Sequence, residues 1–419
     1  MSTVAGVEAR PTAPSFYRGA TAMPRRTAPM DPSIGERIQT RRELRGWSIR
    51  HAASRAGIAH TTWSRIERGE LRTDRYMVAD IAAALECSIT DLTGQPYAPA
   101  DRRLEAAHIA AERLWQTMMA LPLDEPAAAG TSPAGDLWRE AELVRDLYAR
   151  TDYAGALSRL VDLVPMLHTA AHGPDSATAL TAAVQVYGVG MGALLNLGHS
   201  AYAWLAAQRC AEAAQRLDDP AALAVAAVNR GRVSAHTGAY GPARTAVDRA
   251  ADELDRHTDA PAALDVLGFT HLARAHHATG MHDLDAAASH LAEAARLARR
   301  TGESDVWDLQ WGPRNVALWT VAHQIDTGRP GEAVETATGL DVAALPAVRT
   351  VYLYTDLARA LTDVRRDEEA VRMLMTAERV APQHIRSSAA ARETARVLLR
   401  KAHRASVIQG LCERMGVAD

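Results

Sequence analysis

The sequence predicts an all-α protein in which a small domain of five short helices precedes a long array of helical hairpins. Three observations predict this class. Residues 33–95 read as short helical segments separated by single glycines. From Leu137 onward the chain is alanine-rich and amphipathic with helical spacing, and it contains no credible strand. Within that second part, one turn pattern recurs at intervals of about 40 residues.

Length and composition set the broad class of protein. A chain of 419 residues is long for one compact core, which argues for at least two domains. The net charge of -3 points to neither nucleic acid nor membrane, so a charged partner must be sought at a local patch. Three scattered cysteines favour a reducing cytoplasm and no disulfide framework. No apolar run is long enough for a membrane span, and we expect no membrane partner.

The small domain is preceded by an arm and built from five helical segments. Residues 1–32 lack the apolar stretch of a signal peptide and are expected to form a disordered, mildly basic arm. The first helix, "IGERIQTRREL", ends before Gly46, and Ser48 caps the second helix, "IRHAASR". Gly57 makes a tight turn before the third helix, "HTTWSRIE". The segments "RYMVADIAAALE" and "SITDL" complete a domain at 33–95.

The segment "GWSIRHAASRAGIAHTTWSRIERGE" resembles the helix-turn-helix of the Cro/repressor type, also called XRE-like. The residues that carry the resemblance are Gly46, Ala53, Gly57, Ile66, Glu67 and Gly69. The family places its third helix in the major groove of double-stranded DNA. Many members have a glutamine where this chain has Ile49, so that contact is either lost or passed to Arg50 and Ser48.

The resemblance implies a set of DNA-contacting residues on the second and third helices. These are Ser48, Arg50, His60, Thr61, Thr62, Ser64, Arg65 and Arg68. Arg65 can reach a guanine edge or a phosphate. Trp63 and Ile66 are expected to face the small core, and Glu67 to pair with an arginine of the first helix.

Charge is distributed unevenly along this domain. Residues Ser33 to Arg72 contain nine arginines and four glutamates, a net charge of +5, whereas residues 73–97 carry a net charge of -3. The positive charge therefore lies on the elements that would face the DNA backbone.

Residues 96–136 separate the two parts of the chain. They begin as a charged segment of helical pattern and end in "LPLDEPAAAGTSPAGD", which is rich in proline and glycine. We expect a helical connector followed by a linker, which is also a candidate hinge.

A repeated turn organises residues 137–419. A glycine stands five positions before an alanine at Ala203, Ala243 and Ala333, and weaker copies of this turn end at Ala156, Ala287 and Ala370. A second small or apolar residue follows seven positions later, at Leu163, Cys210, Ala250, Ala294, Leu340 and Ala377. The pattern resembles the tetratricopeptide repeat, with units longer than its period of about 34 residues. It predicts about six hairpins stacked as an α-solenoid. The resemblance implies a sensor role for this array, and we expect it to supply the dimer contacts because the small domain has little spare apolar surface.

A tryptophan-rich segment is the candidate effector site. Of 8 tryptophans, three fall within "WDLQWGPRNVALW". Trp307 and Trp311 with Asn315 can form the wall of a pocket, or they can fill a hairpin junction. Asn196 and Asn229 lie on earlier hairpins, where the resemblance to peptide receptors of this fold implies amide contacts with a ligand. Whether these residues converge cannot be read from the sequence.

Other patterns favour packing over chemistry. Gly188, Gly190 and Gly192 lie in a helical segment, so they do not predict a dinucleotide loop. The histidines at 271, 276, 277 and 282 lack metal-ligand spacing and acidic partners. We expect no metal, no cofactor and no catalytic residue, and hence no enzyme.

The two halves together resemble actinobacterial transcription regulators that join an XRE-type domain to a tetratricopeptide-like sensor. This implies a homodimer that binds an operator in double-stranded DNA and responds to a small molecule, a peptide or a protein. Two alternatives remain. One is a protein-interaction scaffold tethered to DNA, with no small effector, and the other is an enzyme with an unrecognised site.

Overall fold

The structure is a computed structural model that describes residues 32–125, 127, 132–259, 262–401 and 406–417. The predicted N-terminal arm and much of the Pro/Gly-rich linker lie outside the described residues. Residues 31–419 form one compact unit. The described part is α-helical, which confirms the predicted class, and its β pairing is limited to an isolated bridge between Ser304 and Trp311.

Five helices form the N-terminal domain, as the glycine breaks predict. They are α1 (Ile34–Leu44), α2 (Ile49–Arg55), α3 (His60–Glu67), α4 (Arg75–Ala84) and α5 (Ile89–Thr93). Ser33 caps α1 in a reciprocal capping box with Glu36, and Ser48 caps α2. Gly46 and Gly57 adopt φ values of +65° and +67°, which permit the tight turns before α2 and α3.

The core of this domain is small and closed. Ile38, Trp63, Ile81, Leu85 and Leu92 are all fully buried. They come from α1, α3, α5 and α4 with its C-cap residue, and Ala52 and Ala53 of α2 are buried in the same core, so the position of α3 is fixed by packing.

Six hairpins follow, as the turn pattern predicts. They are α7 (Ala134–Ala149) with α8 (Tyr153–Ala170), α9 (Ser176–Asn196) with α10 (Ser200–Leu217), α11 (Pro220–His236) with α12 (Tyr240–Asp255), α13 (Ala263–Gly280) with α14 (Leu284–Thr301), α15 (Pro313–Asp326) with α16 (Pro330–Thr338), and α17 (Ala347–Asp363) with α18 (Asp367–Val380). The helix that precedes them, α6 (Arg102–Ala120), packs against α8 and α10. Three short helices end the chain, namely α19 (Pro382–Ser387), α20 (Ala389–Lys401) and α21 (Ser406–Met415).

The small residues after each turn are the contact points of the stack. All six landmark alanines are 2% exposed or less. Four of the six residues that follow seven positions later, Leu163, Cys210, Ala294 and Ala377, are also buried, while Ala250 and Leu340 are partly buried. Small side chains at these places allow close approach of neighbouring helices, which is why the pattern is visible in the sequence.

Helix α9 is the most apolar of the described helices. It is long and apolar enough to cross a membrane by length and composition, yet 78% of its most apolar window is buried inside the protein. The three glycines predicted to serve packing lie within it, and Gly190 faces Leu160 and Leu114 at close range. Its apolar character is explained by its burial among α7, α8, α10 and α11.

Candidate DNA-binding site

Helix α3 presents two chemically different faces. Trp63, Ile66 and Glu67 are buried against the rest of the domain. Thr61, Arg65 and Arg68, which lie on the opposite face at four- and three-residue spacing, are exposed. His60 is exposed at the start of the helix, and Thr62 and Ser64 flank the exposed face and are partly buried. The predicted DNA-contacting side chains of α3 therefore lie together along its accessible side.

A buried ion pair fixes the orientation of α3. The Glu67 carboxylate accepts hydrogen bonds from Arg42 Nε at 2.6 Å and Arg42 Nη2 at 2.9 Å. The indole N–H of Trp63 donates to the same carboxylate at 2.6 Å. Arg42 lies on α1, so the predicted pairing of Glu67 with the first helix is confirmed. These hydrogen bonds raise the pKa of Arg42.

The start of α2 contributes two further predicted residues. The Ser48 hydroxyl accepts a hydrogen bond from the His51 amide at 3.2 Å, so it acts as the helix cap and remains exposed. Arg50, the second residue of α2, is exposed. Within the part of the chain that the structure describes, neither Arg50 nor Arg65 has a hydrogen bond or ion pair, and both guanidinium groups are available to an external anion.

Most of the other arginines in the basic segment are already paired. Arg41 binds Asp91 at 2.6 Å, and Arg55 binds Glu86 at 2.9 Å. Arg68 forms two hydrogen bonds with Glu70, at 2.6 and 2.9 Å, and also donates to the Ser64 hydroxyl. The formal charge of +5 therefore overstates the charge available to DNA.

Arg72 does not contribute to the positive surface that the sequence predicts. It was counted among the arginines that face DNA, but it binds Asp363 of α17 at 2.7 Å, and its side chain is 9% exposed. The acidic partner is remote in sequence, so no local charge count could have found this pair.

Helix α4 joins the small domain to the array through an apolar contact. Tyr76 and Ala79 of α4 pack with Ala235 and Tyr240 from the α11–α12 hairpin. The Tyr76 hydroxyl lies 2.7 Å from Nδ1 of His276 on α13. Burial, assisted by the charge of Arg75, holds the pKa of His276 well below its usual 6.5, so this imidazole is neutral at pH 7.

An ionic cluster lies beside this apolar contact. Arg75 Nε is 3.4 Å from Asp326, and Arg75 Nη2 is 3.9 Å from Asp356. Arg359 binds the same two carboxylates at 2.9 and 2.8 Å. Asp326 and Arg359 are each 3% exposed. We call Arg72, Arg75, Tyr76, His276, Asp326, Asp356, Arg359 and Asp363 the junction.

Further contacts surround the junction. Asp80 lies 3.2 Å from His282 Nε2, and Gln95 donates to the Ser387 carbonyl at 2.8 Å. Arg400 of α20 donates to the Gly69 carbonyl at 2.5 Å. Sequence reasoning missed these contacts. The one visible signal was the histidine-rich segment at 271–282, two of whose histidines contact α4.

The tryptophan segment packs mainly inside the array. Trp311 is fully buried, lies against Gly268, and donates its indole N–H to the Thr301 hydroxyl at 2.8 Å. Asn315 is 3% exposed and donates to the Leu309 carbonyl at 3.2 Å. Trp307 is partly buried against the same core. The geometry therefore favours the alternative reading for Trp311 and Asn315, in which they fill a hairpin junction.

The two earlier asparagines differ from each other. Asn229 is 7% exposed, and its amide contacts the Cys210 sulfur at 3.7 Å, so it belongs to the core. Asn196 is partly buried and bridges two phenols: its amide donates to Tyr153 at 2.9 Å and its oxygen accepts from Tyr352 at 2.5 Å. The five predicted effector residues are thus not brought together on one accessible surface.

One cavity of about 440 Å³ lies elsewhere, between α12, α13 and α14. Its wall includes Asp252, Asp255, His271, Arg274, Glu293 and Arg300. None of the five predicted effector residues lines it.

Comparison with known proteins supports the assignment of the first domain. A helix-turn-helix domain family model matches residues 33–93. A search of curated proteins returned no match. Among solved structures, the chain is similar to the crystal structure of Bacillus thuringiensis PlcR in complex with the peptide PapR7 and DNA, with 14% identity over 64% of this chain and 95% of that chain. The TM-score is 0.29, too low to support an argument about this chain.

The geometry and the family match agree on the N-terminal part of the chain. The matched residues cover α1 to α5, including the turn at Gly57 and the exposed face of α3. Residues 33–93 are a helix-turn-helix domain, a class of domain that binds double-stranded DNA.

Proposed function

We propose that this protein is a sequence-specific transcriptional regulator of the XRE type. The observation that carries the proposal is the accessible face of α3, where Thr61 and Arg65 are exposed while the buried Glu67 pair holds the helix in place. Arg65 can make a bidentate contact with a guanine, and Arg50 can contact a phosphate. We assign the protein a binding role and no catalytic activity.

We propose further that the array is a sensor whose state reaches the DNA-binding domain through the junction. Helix α4 is the next helix after α3, and its Arg75 is held by the carboxylates of Asp326 from α15 and Asp356 from α17. A shift of these helices would change the position of α3 relative to the array. An effector acts only through its difference in affinity between two such arrangements, and a coupling of about 1–3 kcal/mol would change DNA affinity roughly 5–150-fold. The effector is a small molecule, a peptide or a protein.

The array also supplies the dimer contacts in this proposal. One small helix-turn-helix domain buries too little surface for tight and specific binding, and proteins of this class commonly bind two half-sites about one helical turn apart. A homodimer would place two copies of α3 at that spacing.

Selection of genomic DNA fragments by the full-length protein tests this function. The proposal predicts enrichment of fragments that share a two-fold symmetric sequence, and an altered affinity for them when cell extract supplies the effector. Recovery of fragments with no common sequence would contradict it.

A further inference from the structure

The two ends of the hairpin array meet across its inner side. The Tyr153 hydroxyl of α8 lies 2.7 Å from Nδ1 of His384 on α19. Asn196 of α9 links Tyr153 to Tyr352 of α17. Early and late hairpins therefore face each other, and the side chains between them form an inner surface bordered by α7, α9, α11 and α17.

A loop from the middle of the array reaches this inner surface. Residues 302–312, here named the inner loop, connect α14 to α15. Trp307, Asp308 and Gln310 adopt φ values of +54°, +57° and +49°, an unfavourable region for residues other than glycine. Asp308 lies 3.3 Å from Arg145 of α7. The inner loop is thus held in a strained conformation by contacts with other hairpins.

Arg349 of α17 holds the other side of the inner loop. Its Nε donates to the Gln310 side-chain oxygen at 3.0 Å, and its Nη2 donates to the Leu309 carbonyl at 3.2 Å. Both acceptors are neutral, and no ion pair to Arg349 occurs in the described residues. Burial lowers the pKa of Arg349, and the charge of the neighbouring Arg232 lowers it further.

Arg232 of α11 is the second cation of this surface. It is partly buried, and it has neither a hydrogen bond nor an ion pair among the residues described. Its neighbours include Tyr352, one turn from Arg349 on α17. Neither guanidinium forms an ion pair with a carboxylate among the described residues, although the charge of Asp305 also acts on Arg349. Two nearby like charges repel each other, and a bound anion would relieve that repulsion. At the junction, by contrast, Arg72, Arg75 and Arg359 each face a carboxylate.

Two tyrosine side chains border the inner surface beside these arginines. Tyr148 of α7 packs so closely on α9 that a Cβ at Gly192 would lie 2.5 Å from its hydroxyl oxygen. That hydroxyl makes no hydrogen bond within the described part of the chain. Tyr352 is bound through its hydroxyl to Asn196. Both phenols retain partial exposure, so a ligand on the inner surface can reach them.

We propose that the inner surface binds a small anionic ligand whose carboxylate or phosphate oxygens lie between Arg232 and Arg349, with the Tyr148 hydroxyl as a further donor. The arginines can donate charge-assisted and bidentate hydrogen bonds to the anion, and the Tyr148 hydroxyl can donate a further hydrogen bond that orients it. This inference rests on the proposed sensor function and names the chemistry of its effector. A ligand that binds Arg349 would break the hydrogen bonds of this side chain to Gln310 and Leu309 of the inner loop. The resulting change would be transmitted along α17, which also carries Arg359 and Asp363 of the junction.

Calorimetric titration of the full-length protein without DNA tests the site. The probes are inorganic phosphate and succinate, each in buffer matched with chloride for ionic strength. We expect saturable binding of at least one probe with one site per chain. Binding of phosphate alone identifies a phosphate ligand, and binding of succinate alone identifies a carboxylate. Absence of saturable binding for both would overturn the proposal.

Substitutions locate the binding. Arg232→Met removes a side chain without a partner, so the fold is expected to survive, and the affinity for the probe should fall at least tenfold. Arg299→Met, at an exposed arginine near the end of α14, is the matched control and should bind as the unmodified protein does. Equal affinity of all three proteins would show that the anion binds elsewhere and refute the assignment. These measurements involve no DNA, so failed anion binding leaves sequence-specific DNA binding to be judged separately.

Discussion

Arg75 of the DNA-binding domain and Arg359 of the array share the carboxylate of Asp326, at 3.4 and 2.9 Å respectively. Asp326 ends α15, Arg359 lies on α17, and Arg75 begins α4. A single buried carboxylate thus joins the helix that follows α3 to two hairpins of the array. This arrangement gives a physical route by which the state of the array can affect DNA binding.

Removal of the Arg75 charge should loosen the DNA-binding domain from the array. In Arg75→Met, Asp326 keeps its partner Arg359, so the array remains folded. We expect a loss of about 1 kcal/mol at the junction, the upper end of the range for an ion pair with a half-exposed partner. Calorimetry should show the small domain melting separately and earlier.

Arg103→Met is the matched control for this substitution, since Arg103 is exposed at the start of α6 and has no ion pair in the described structure. It should melt like the unmodified protein. Identical melting of Arg75→Met and Arg103→Met would show that the junction contributes nothing to the coupling.

The Glu67 pair should be required for a folded α3. Glu67→Gln leaves Arg42 in a nearly buried place without its carboxylate, which should cost about 3 kcal/mol. Glu70→Gln breaks the exposed pair with Arg68 and should reduce the stability far less than Glu67→Gln does, because solvent screens that pair. Urea unfolding compares the two variants, and similar losses in both would contradict the structural role of Glu67.

Mild acid should destabilise the protein through its buried histidines. Burial lowers the pKa of His168, His277 and His384 to about 4 from the usual 6.5. Between pH 4 and pH 6.5 these histidines bind protons in the unfolded chain but not in the folded chain. The free energy of unfolding is therefore highest above pH 6.5 and falls as the pH drops toward 4. At pH 5.5 each group should remove roughly 1 kcal/mol from the free energy of unfolding.

Unfolding in urea at pH 7.5 and pH 5.5 measures this effect. His384→Asn should reduce the loss between the two pH values, since it removes one of the buried imidazoles whose pKa is lowered. His257→Asn, at an exposed position, should leave the loss unchanged. An unchanged pH dependence in His384→Asn would contradict the assignment of a neutral buried imidazole.

The helices and the stacking pattern could be predicted from local sequence. Glycine turns, serine caps and landmark alanines each act over a few residues, so spacing alone reveals them, and the six alanines proved to be buried. The orientation of α3 was also predictable, because Trp63 and Ile66 mark its buried side. That this helix enters the major groove of DNA was implied by the family resemblance.

Contacts between distant residues could not be predicted in the same way. Arg72 and Asp363 are separated by most of the chain, and only the closure of the array brings them together. The same holds for Arg75 with Asp326. The roles of Trp311 and Asn315 stayed open for a related reason: aromatic and amide side chains look alike in a sequence whether they line a pocket or pack between hairpins.

The oligomeric state is a separate prediction. We expect a homodimer at micromolar concentration, with the array supplying the contacts. Light scattering measures the mass in solution, and titration of DNA containing one or two half-sites measures the stoichiometry. A monomer that binds a single half-site tightly would contradict the expected dimer.

The central claim is that α3 reads DNA sequence through the exposed side of its helix. The most direct test is the affinity of the unmodified protein and of Arg65→Ala for a selected DNA site and for random DNA of equal length, at one salt concentration. Arg65→Ala should lose about 1–3 kcal/mol of binding free energy on the selected site and little on random DNA. Arg299→Ala, remote from α3, should change neither affinity. Equal losses on both DNAs would show that Arg65 contacts only phosphate, and no loss on either would show that α3 does not bind DNA in the proposed way.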